Sequence, residues 1–140
     1  MDRRTRAREL AMQLLYQLDV QGDCFLGGVE MFLRENCEDD TVLGMADDWT
    51  RKTWENLEVC DAIIKEAAIK WELSRLSQVD RSILRLSAYQ LKFCPDIPGR
   101  VVINEAIELA KKYSAEQSPR FVNGVLDAIF RKLTESGSAV

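Results

Sequence analysis

Residues 7–18, Ala-Arg-Glu-Leu-Ala-Met-Gln-Leu-Leu-Tyr-Gln-Leu, decide the fold class of this chain. Small and leucine side chains recur there at steps of three and one, which puts them on one face of a helix with 3.6 residues per turn. Met12 and Tyr16 fall off that face. The face consists of Ala7, Leu10, Ala11, Leu14, Leu15 and Leu18. The stretch therefore predicts an amphipathic helix that packs against further helices.

The same periodicity continues along the chain, and no alternating strand pattern interrupts it. One long helix is expected from about Ala46 to about Lys70, with an apolar stripe that ends at Trp71. Ser77 and the pair Ser118-Pro119 are helix-start signals, with Ser118 as the capping residue. The small, polar tail 135–140 is expected to be disordered. About six helices in one all-α domain are the expected fold.

Composition excludes several classes of protein. The 140 residues are 46% hydrophobic and 30% charged, which is ordinary for a globular domain. No apolar run approaches the roughly 18 residues of a membrane span, and no secretory signal precedes the first helix. The four cysteines lack the Cys-x-x-Cys spacing of metal and redox motifs. They fit either reduced thiols in a cytoplasmic chain, which we expect, or two disulfides in a secreted one.

Charge is segregated along the sequence. The acidic segment, residues 23–48, has eight acidic residues against one basic and a net charge of −7, so the remainder carries +3. The first eight residues contain Arg3, Arg4, Arg6 and Arg8 against Asp2 alone. A local basic patch binds phosphate even where the total charge, here −4, is negative. The arginines predict RNA binding, and a disordered basic tail is the alternative.

The sequence offers little for catalysis. It has no histidine, which excludes His-dependent triads and imidazole metal sites, and it lacks the usual phosphate-binding loops. Its paired aspartates fit a solvated acidic loop better than a metal site. Glu105 and Glu108 lie within reach of Lys111 and Lys112, which favours surface ion pairs. We expect no enzyme activity, no catalytic residue, no metal and no cofactor.

A second basic surface is expected at the start of the last helix. Ser118, Arg120 and Phe121 lie there beside backbone N–H groups that suit a phosphate. Phe121 sits at the edge of the apolar stripe. The pattern therefore leaves core packing and base stacking equally open for its ring.

Four stretches together resemble the bacterial NusB family of transcription antitermination factors. They cover nearly the whole chain except the acidic segment, and their order and spacing are more specific than any one of them. The stretches are RELAMQLLY at residues 8–16, VDRSILRL at 79–86, DIP at 96–98 with INEAIELAK at 103–111, and FVNGVLD at 121–127.

The resemblance implies a fold of seven helices in two small bundles, residues 1–75 and 76–134. It implies binding of single-stranded boxA RNA from ribosomal RNA leaders, together with the small-subunit ribosomal protein that acts as NusE, inside an RNA polymerase antitermination complex. The residues it places against RNA are Arg4, Arg6, Arg8, Arg120 and Phe121. The residues it places at or near the protein partner are Tyr16, Asp80 and Arg85.

Two positions depart from the pattern of the resemblance. Gln117 stands where the family often has an acidic residue, which changes the repulsion of phosphate, and Pro119 has no N–H to donate. The alternative function is a helical protein-interaction module without independent RNA binding. Such a module would be a homodimer, as the acidic segment and the off-face Met12 and Tyr16 suggest, or an accessory domain of a ribosomal RNA methyltransferase.

Overall fold

The computed structural model describes residues 2–70, 73 and 76–136. These residues form seven α-helices and one 3₁₀ helix, with no strand among them, which confirms the all-α prediction. None of the described helices is both long enough and apolar enough to cross a membrane. The α-helices are α1 (Arg3–Gln21), α2 (Val29–Asn36), α3 (Asp40–Glu55), α4 (Leu57–Ala67), α5 (Gln78–Phe93), α6 (Gly99–Tyr113) and α7 (Ser118–Glu135), and the 3₁₀ helix is Asp23–Gly28.

Helix α1 lies at the centre of the structure. Its predicted apolar face is fully buried, mainly against α3 and α5. Contacts with α2, α6 and the 3₁₀ helix cover much of the remaining surface. As a result Met12 is only 2% exposed, although the interaction-module hypothesis needs it on the surface. Tyr16 is half-buried. Neighbours on several sides thus bury more of α1 than one amphipathic face.

Helix α5 is the second central element. Its residues from Ser82 to Leu91 are all buried, because α5 packs against α1, α3, α4, α6 and α7. The serines and the alanine in this run are small enough to let neighbouring helices approach closely. Helices α6 and α7 pack against each other and against α5. The predicted boundary after residue 75 adjoins residues outside the described ranges, so the division into two bundles stays a prediction.

The prediction of one long helix from Ala46 to Lys70 was wrong. Helix α3 already begins at Asp40 and ends at Glu55, α4 begins at Leu57, and Asn56 lies between them. The Asn56 side chain donates a hydrogen bond to the Lys52 carbonyl at 2.8 Å, which satisfies the last turn of α3 and interrupts the helix. Asparagine competes with the helical backbone in this way because its side chain is short and polar. Trp71, at the predicted end of the stripe, lies outside the described residues.

Two predicted helix starts have different outcomes. Ser77 caps α5 by accepting a hydrogen bond from the Asp80 amide at 3.1 Å, as expected. Ser118 is the first residue of α7, and Gln117 occupies the capping position without a side-chain hydrogen bond. The prediction of Ser118 as the cap was therefore wrong by one position. Helix α7 extends to Glu135. The tail 135–140 was predicted to be disordered, and its residues 137–140 lie outside the described ranges.

The first turn of α6 packs closely against α7, which gives a test of the packing. A β-carbon added at Gly99 would lie 2.3 Å from the Phe130 ring, whereas one added at Gly44, an exposed position of α3, would meet nothing within 4 Å. Gly99→Ala should lower the free energy of unfolding by about 1–2 kcal/mol through overpacking. Gly44→Ala should raise it by up to about 1 kcal/mol through helix propensity. Urea unfolding of both variants measures this, and equal effects would contradict the close packing.

Candidate nucleic-acid interface

The basic start of α1 is ordered by its own cap. Asp2 accepts hydrogen bonds from the amides of Arg4 at 2.7 Å and Thr5 at 3.4 Å, which fixes the first turn. The four predicted arginines then follow within two turns. Because a helix turns 100° per residue, they point in different directions and meet different surroundings.

Three of these arginines remain at the surface. Arg3 donates to Asp39 at 2.8 Å. Arg6 is paired with Glu9 and also donates to the Asn36 carbonyl at 3.0 Å. Arg4 is exposed and, among the described residues, has no carboxylate within salt-bridge distance. Arg4 is thus the most readily available of the three cations.

Arg8 is not available for RNA. Its side chain is only 3% exposed, and its guanidinium lies 5.2 Å from the centre of the Trp49 ring. It donates to Gln90 at 3.1 Å and to Glu105 at 3.4 Å. The structure therefore places Arg8, which the resemblance puts against RNA, in the interior, because α3, α5 and α6 pack around its side chain.

Glu9 connects the start of α1 to the end of α6, and sequence reasoning missed it. Its carboxylate is 5% exposed and lies between the cations of Arg6 and Lys112. Burial by itself raises the pKa of Glu9, but hydrogen bonds from Lys112, Tyr113 and Arg6 outweigh it and lower that pKa below its usual value. The one signal in the sequence for this role is that Glu9 stands next to the predicted apolar face of α1.

The predicted ion pairs on α6 are only partly present. Lys111 pairs with Glu108 at 3.4 Å, as expected. Lys112 instead reaches Glu9 on α1, and Glu105 accepts from Thr5 at 2.6 Å. The surface of α6 therefore serves contacts with α1 more than pairs within the helix.

Hydrogen bonds to the buried Asp80 carboxylate fix the start of α7. Ser118 donates to Asp80 Oδ2 at 3.0 Å, and Ser114 donates to Asp80 Oδ1 at 2.6 Å. Both Asp80 and Ser118 are buried, so the predictions of Asp80 as a partner contact and Ser118 as a phosphate ligand do not fit this structure. Arg120 is exposed without a carboxylate partner among the described residues, and Phe121 is half-buried.

A groove joins the start of α7 to the middle of α1. Two adjoining hollows of about 430 and 340 Å³ share Val79 and Tyr113 in their walls. Phe121 lines the α7 side, and Tyr16 lines the α1 side. The Tyr113 hydroxyl accepts from Gln13 at 3.2 Å, and the Tyr113 ring lies beside the Lys112 ammonium. The groove therefore connects the start of α7 to the middle of α1, and no arginine among the described residues lines it.

Arg85 forms a cross-link between helices. It donates two hydrogen bonds to Asp61 at 2.8 and 2.9 Å and a third to Asp19 at 3.0 Å, and Arg81 also pairs with Asp19. Burial disfavours its charge, but Asp61 and Asp19 raise the pKa of Arg85 above its usual value. The structure places Arg85, which was predicted at or near a partner surface, in the interior, because it is 8% exposed and joins α1, α4 and α5.

In the described ranges no cluster of three or more Cys, Asp or Glu side chains is placed to hold a metal ion. The same ranges contain all four cysteines, and none of them is in a disulfide.

Comparison with known proteins gives one consistent result. The chain matches the NusB family over residues 5–131. The transcription antitermination protein NusB of Bacillus thuringiensis is 47% identical over 135 residues, which cover 92% of this chain and 97% of that protein. The structure of T. maritima NusB is similar with a TM-score of 0.82 at 40% identity, covering 94% and 92% of the two chains. A chain from a crystal structure of antitermination factors NusB and NusE in complex with dsRNA is similar with a TM-score of 0.85 at 29% identity, covering 94% and 98%.

The buried Glu9 carboxylate predicts a pH-dependent stability. Because its pKa is lower in the folded than in the unfolded chain, Glu9 stabilises the fold above its usual pKa of 4.5 and loses that effect as pH falls below it. Glu9→Gln should cost about 2 kcal/mol at neutral pH. The difference from the wild type should shrink in acid.

Urea unfolding of wild type and variant across pH measures this difference. Glu108→Gln, in an exposed pair, is the matched control and should cost less than about 1 kcal/mol. A Glu9→Gln penalty that stays constant below pH 4.5 would contradict the assignment.

The role of Arg85 separates structure from partner binding. Arg85→Ala leaves the partly buried Asp61 carboxylate without its cation and leaves Asp19 with Arg81 alone. It should lower the free energy of unfolding by about 3 kcal/mol. Arg131→Ala, which breaks an exposed pair with Asp127, should cost less than about 1 kcal/mol. Thermal unfolding of both variants distinguishes the two sites. A fully stable Arg85→Ala variant that has lost partner binding would restore the original prediction.

Proposed function

The chain belongs to the NusB family, and from that premise we propose that it is a transcription antitermination factor that binds RNA together with a NusE-type protein. The RNA is a boxA-type single strand from a ribosomal RNA transcript. The partner is the small-subunit ribosomal protein that acts as NusE, within an RNA polymerase antitermination complex. The role is one of binding without catalysis, carried out in the cytoplasm where bacterial transcription takes place.

The observation that supports this proposal most is the connection between the two basic surfaces. The pairs Arg6–Glu9 and Glu9–Lys112, with Tyr113 beside them, link the start of α1 to the groove that ends at Phe121. A single strand of RNA is bound by cations along its backbone and by aromatic rings under its bases. This side of the molecule supplies both.

The individual roles follow from exposure and pairing. Arg4 and Arg120 are the exposed cations that meet phosphates in this proposal, and the half-buried Phe121 ring at the edge of the groove stacks on a base. No side chain caps the start of α7, but the Ser118 amide donates to the Ala115 carbonyl at 3.0 Å and Pro119 has no N–H. The first turn therefore offers an anion at most the Arg120 amide. Arg8 and Ser118 do not contact RNA in this proposal. Each is buried and fixes the position of the helix start next to it.

The protein partner is proposed to contact the apolar part of the groove on α1. Tyr16 lies there with Phe32 and Val79, and all three side chains are half-buried. Half-buried aromatic rings beside a groove are typical of protein contact surfaces. Of the three predicted partner residues, Tyr16 alone remains on this surface.

The proposal is tested with labelled boxA RNA and the NusE-type protein at several salt concentrations. Each phosphate contact contributes a slope of about −0.7 in log affinity against log salt for single strands. The double variant Arg4→Ala/Arg120→Ala should therefore weaken binding at least about tenfold at low salt and flatten the slope by about 1.4. Thermal stability should be nearly unchanged, because both side chains are exposed and unpaired.

Arg131→Ala is the matched control, since Arg131 is an exposed arginine on α7 eleven positions after Arg120 and pairs with Asp127. It should leave the salt slope unchanged. Absence of RNA binding with the partner present, or a salt-independent affinity, would exclude the proposed function. A tight protein dimer that RNA does not dissociate would favour the interaction module instead.

A further inference from the structure

The acidic segment and the basic start of α1 meet at the linker between α2 and α3. Arg3 Nε donates to Asp39 Oδ2 at 2.8 Å, across 36 positions of sequence. Arg6 Nη2 donates to the Asn36 carbonyl at 3.0 Å. Two arginines that the sequence predicts to bind RNA are thus already engaged by residues 36–39 of the protein itself.

Asp39 has two separable roles. Its Oδ1 atom accepts from the amides of Thr41 at 3.0 Å and Val42 at 3.4 Å and so caps α3. Its Oδ2 atom binds Arg3. Asparagine caps helices about as well as aspartate, because it keeps one acceptor oxygen. The charge that binds Arg3 can therefore be removed without removing the cap.

The Arg3–Asp39 pair is open to competition from solvent and from anions. The Arg3 side chain is 66% exposed and that of Asp39 is 35% exposed. Exposed pairs of this kind contribute little to stability, since water and salt screen them. A phosphate with several anionic oxygens competes for the same guanidinium, because arginine binds phosphate in paired hydrogen bonds.

We propose that Asp39 is an internal competitor that holds Arg3 away from RNA and thereby lowers the RNA affinity of the site. This inference rests on the proposed function. Asp39 offers a carboxylate where RNA offers a phosphate, so Arg3 contributes to binding only after it has left Asp39. Arg6 is less affected, because the buried Glu9 carboxylate holds it independently of the linker.

The opposite role would be that Asp39 orients Arg3 for RNA, in which case removing its charge would weaken binding. The two roles predict opposite signs. Removing the charge of the neighbouring Asp40 is the control that distinguishes either role from a general effect of negative charge. It is exposed, lies one position further along, and makes no ion pair among the described residues.

The experiment compares Asp39→Asn and Asp40→Asn by titration of labelled boxA RNA with the NusE-type protein present. Asp39→Asn should tighten binding about threefold beyond the effect of Asp40→Asn, in keeping with the release of an exposed pair. Its salt slope should steepen by about 0.7, corresponding to one further phosphate contact. The same pair of variants in an Arg3→Ala background should be indistinguishable.

Several outcomes overturn the inference. The first is that Asp39→Asn binds RNA no more tightly than Asp40→Asn. The second is that Asp39→Asn keeps its gain in RNA affinity in the Arg3→Ala background. Either result shows that Asp39 does not act through its pair with Arg3. If the wild type binds RNA and its affinity depends on Arg4 and Arg120, that result leaves the proposed function intact. If the wild type does not bind RNA, the proposed function fails and this inference fails with it.

The melting temperatures of the variants serve as the control for correct folding. Asp39→Asn should melt together with Asp40→Asn, because the α3 cap is retained. Asp39→Ser provides a second uncharged capping residue if the asparagine variant is unstable, and it should show the same gain in affinity.

Discussion

Three charged side chains on the central helix, Arg8, Glu9 and Asp19, set the arrangement of the elements around it. A charge that loses its water must be paired and hydrogen-bonded, or the structure loses several kcal/mol. Each of the three is paired by elements other than α1: Arg8 by α5 and α6, Glu9 by α6, and Asp19 by α5. Apolar packing brings the helices together, and these pairs fix their positions along and around α1.

The binding surface depends on this buried layer. Glu9 holds Lys112 and Arg6 at fixed positions, so the basic start of α1 is tied to the end of α6. Asp80 performs the same task at α7 by accepting from Ser114 and Ser118. Exposed side chains that bind a flexible strand work best when their backbones are already placed, because less freedom is lost on binding. The buried carboxylates provide that placement.

Sequence periodicity predicted the fold class and the apolar face of α1 well, because a buried face leaves a repeating pattern. It did not predict the burial of Met12 or Arg8. Periodicity shows which face of a helix is the most buried, but not how many neighbouring helices cover its other sides. Arg85 was misplaced for a related reason: an arginine has the same appearance in sequence whether it faces a partner or two carboxylates. The break at Asn56 was detectable only as a single polar residue inside a helical pattern.

Charge that is segregated in sequence is not segregated in space. The acidic segment lies outside the stretches that resemble the family, yet its residue Asp39 contacts Arg3 at the start of α1. A weak internal pair beside a binding site discriminates among ligands, because an isolated anion gains little by displacing it. A strand that offers several phosphates at once gains enough from Arg4 and Arg120 to open the pair as well. The acidic total of the chain is therefore compatible with RNA binding.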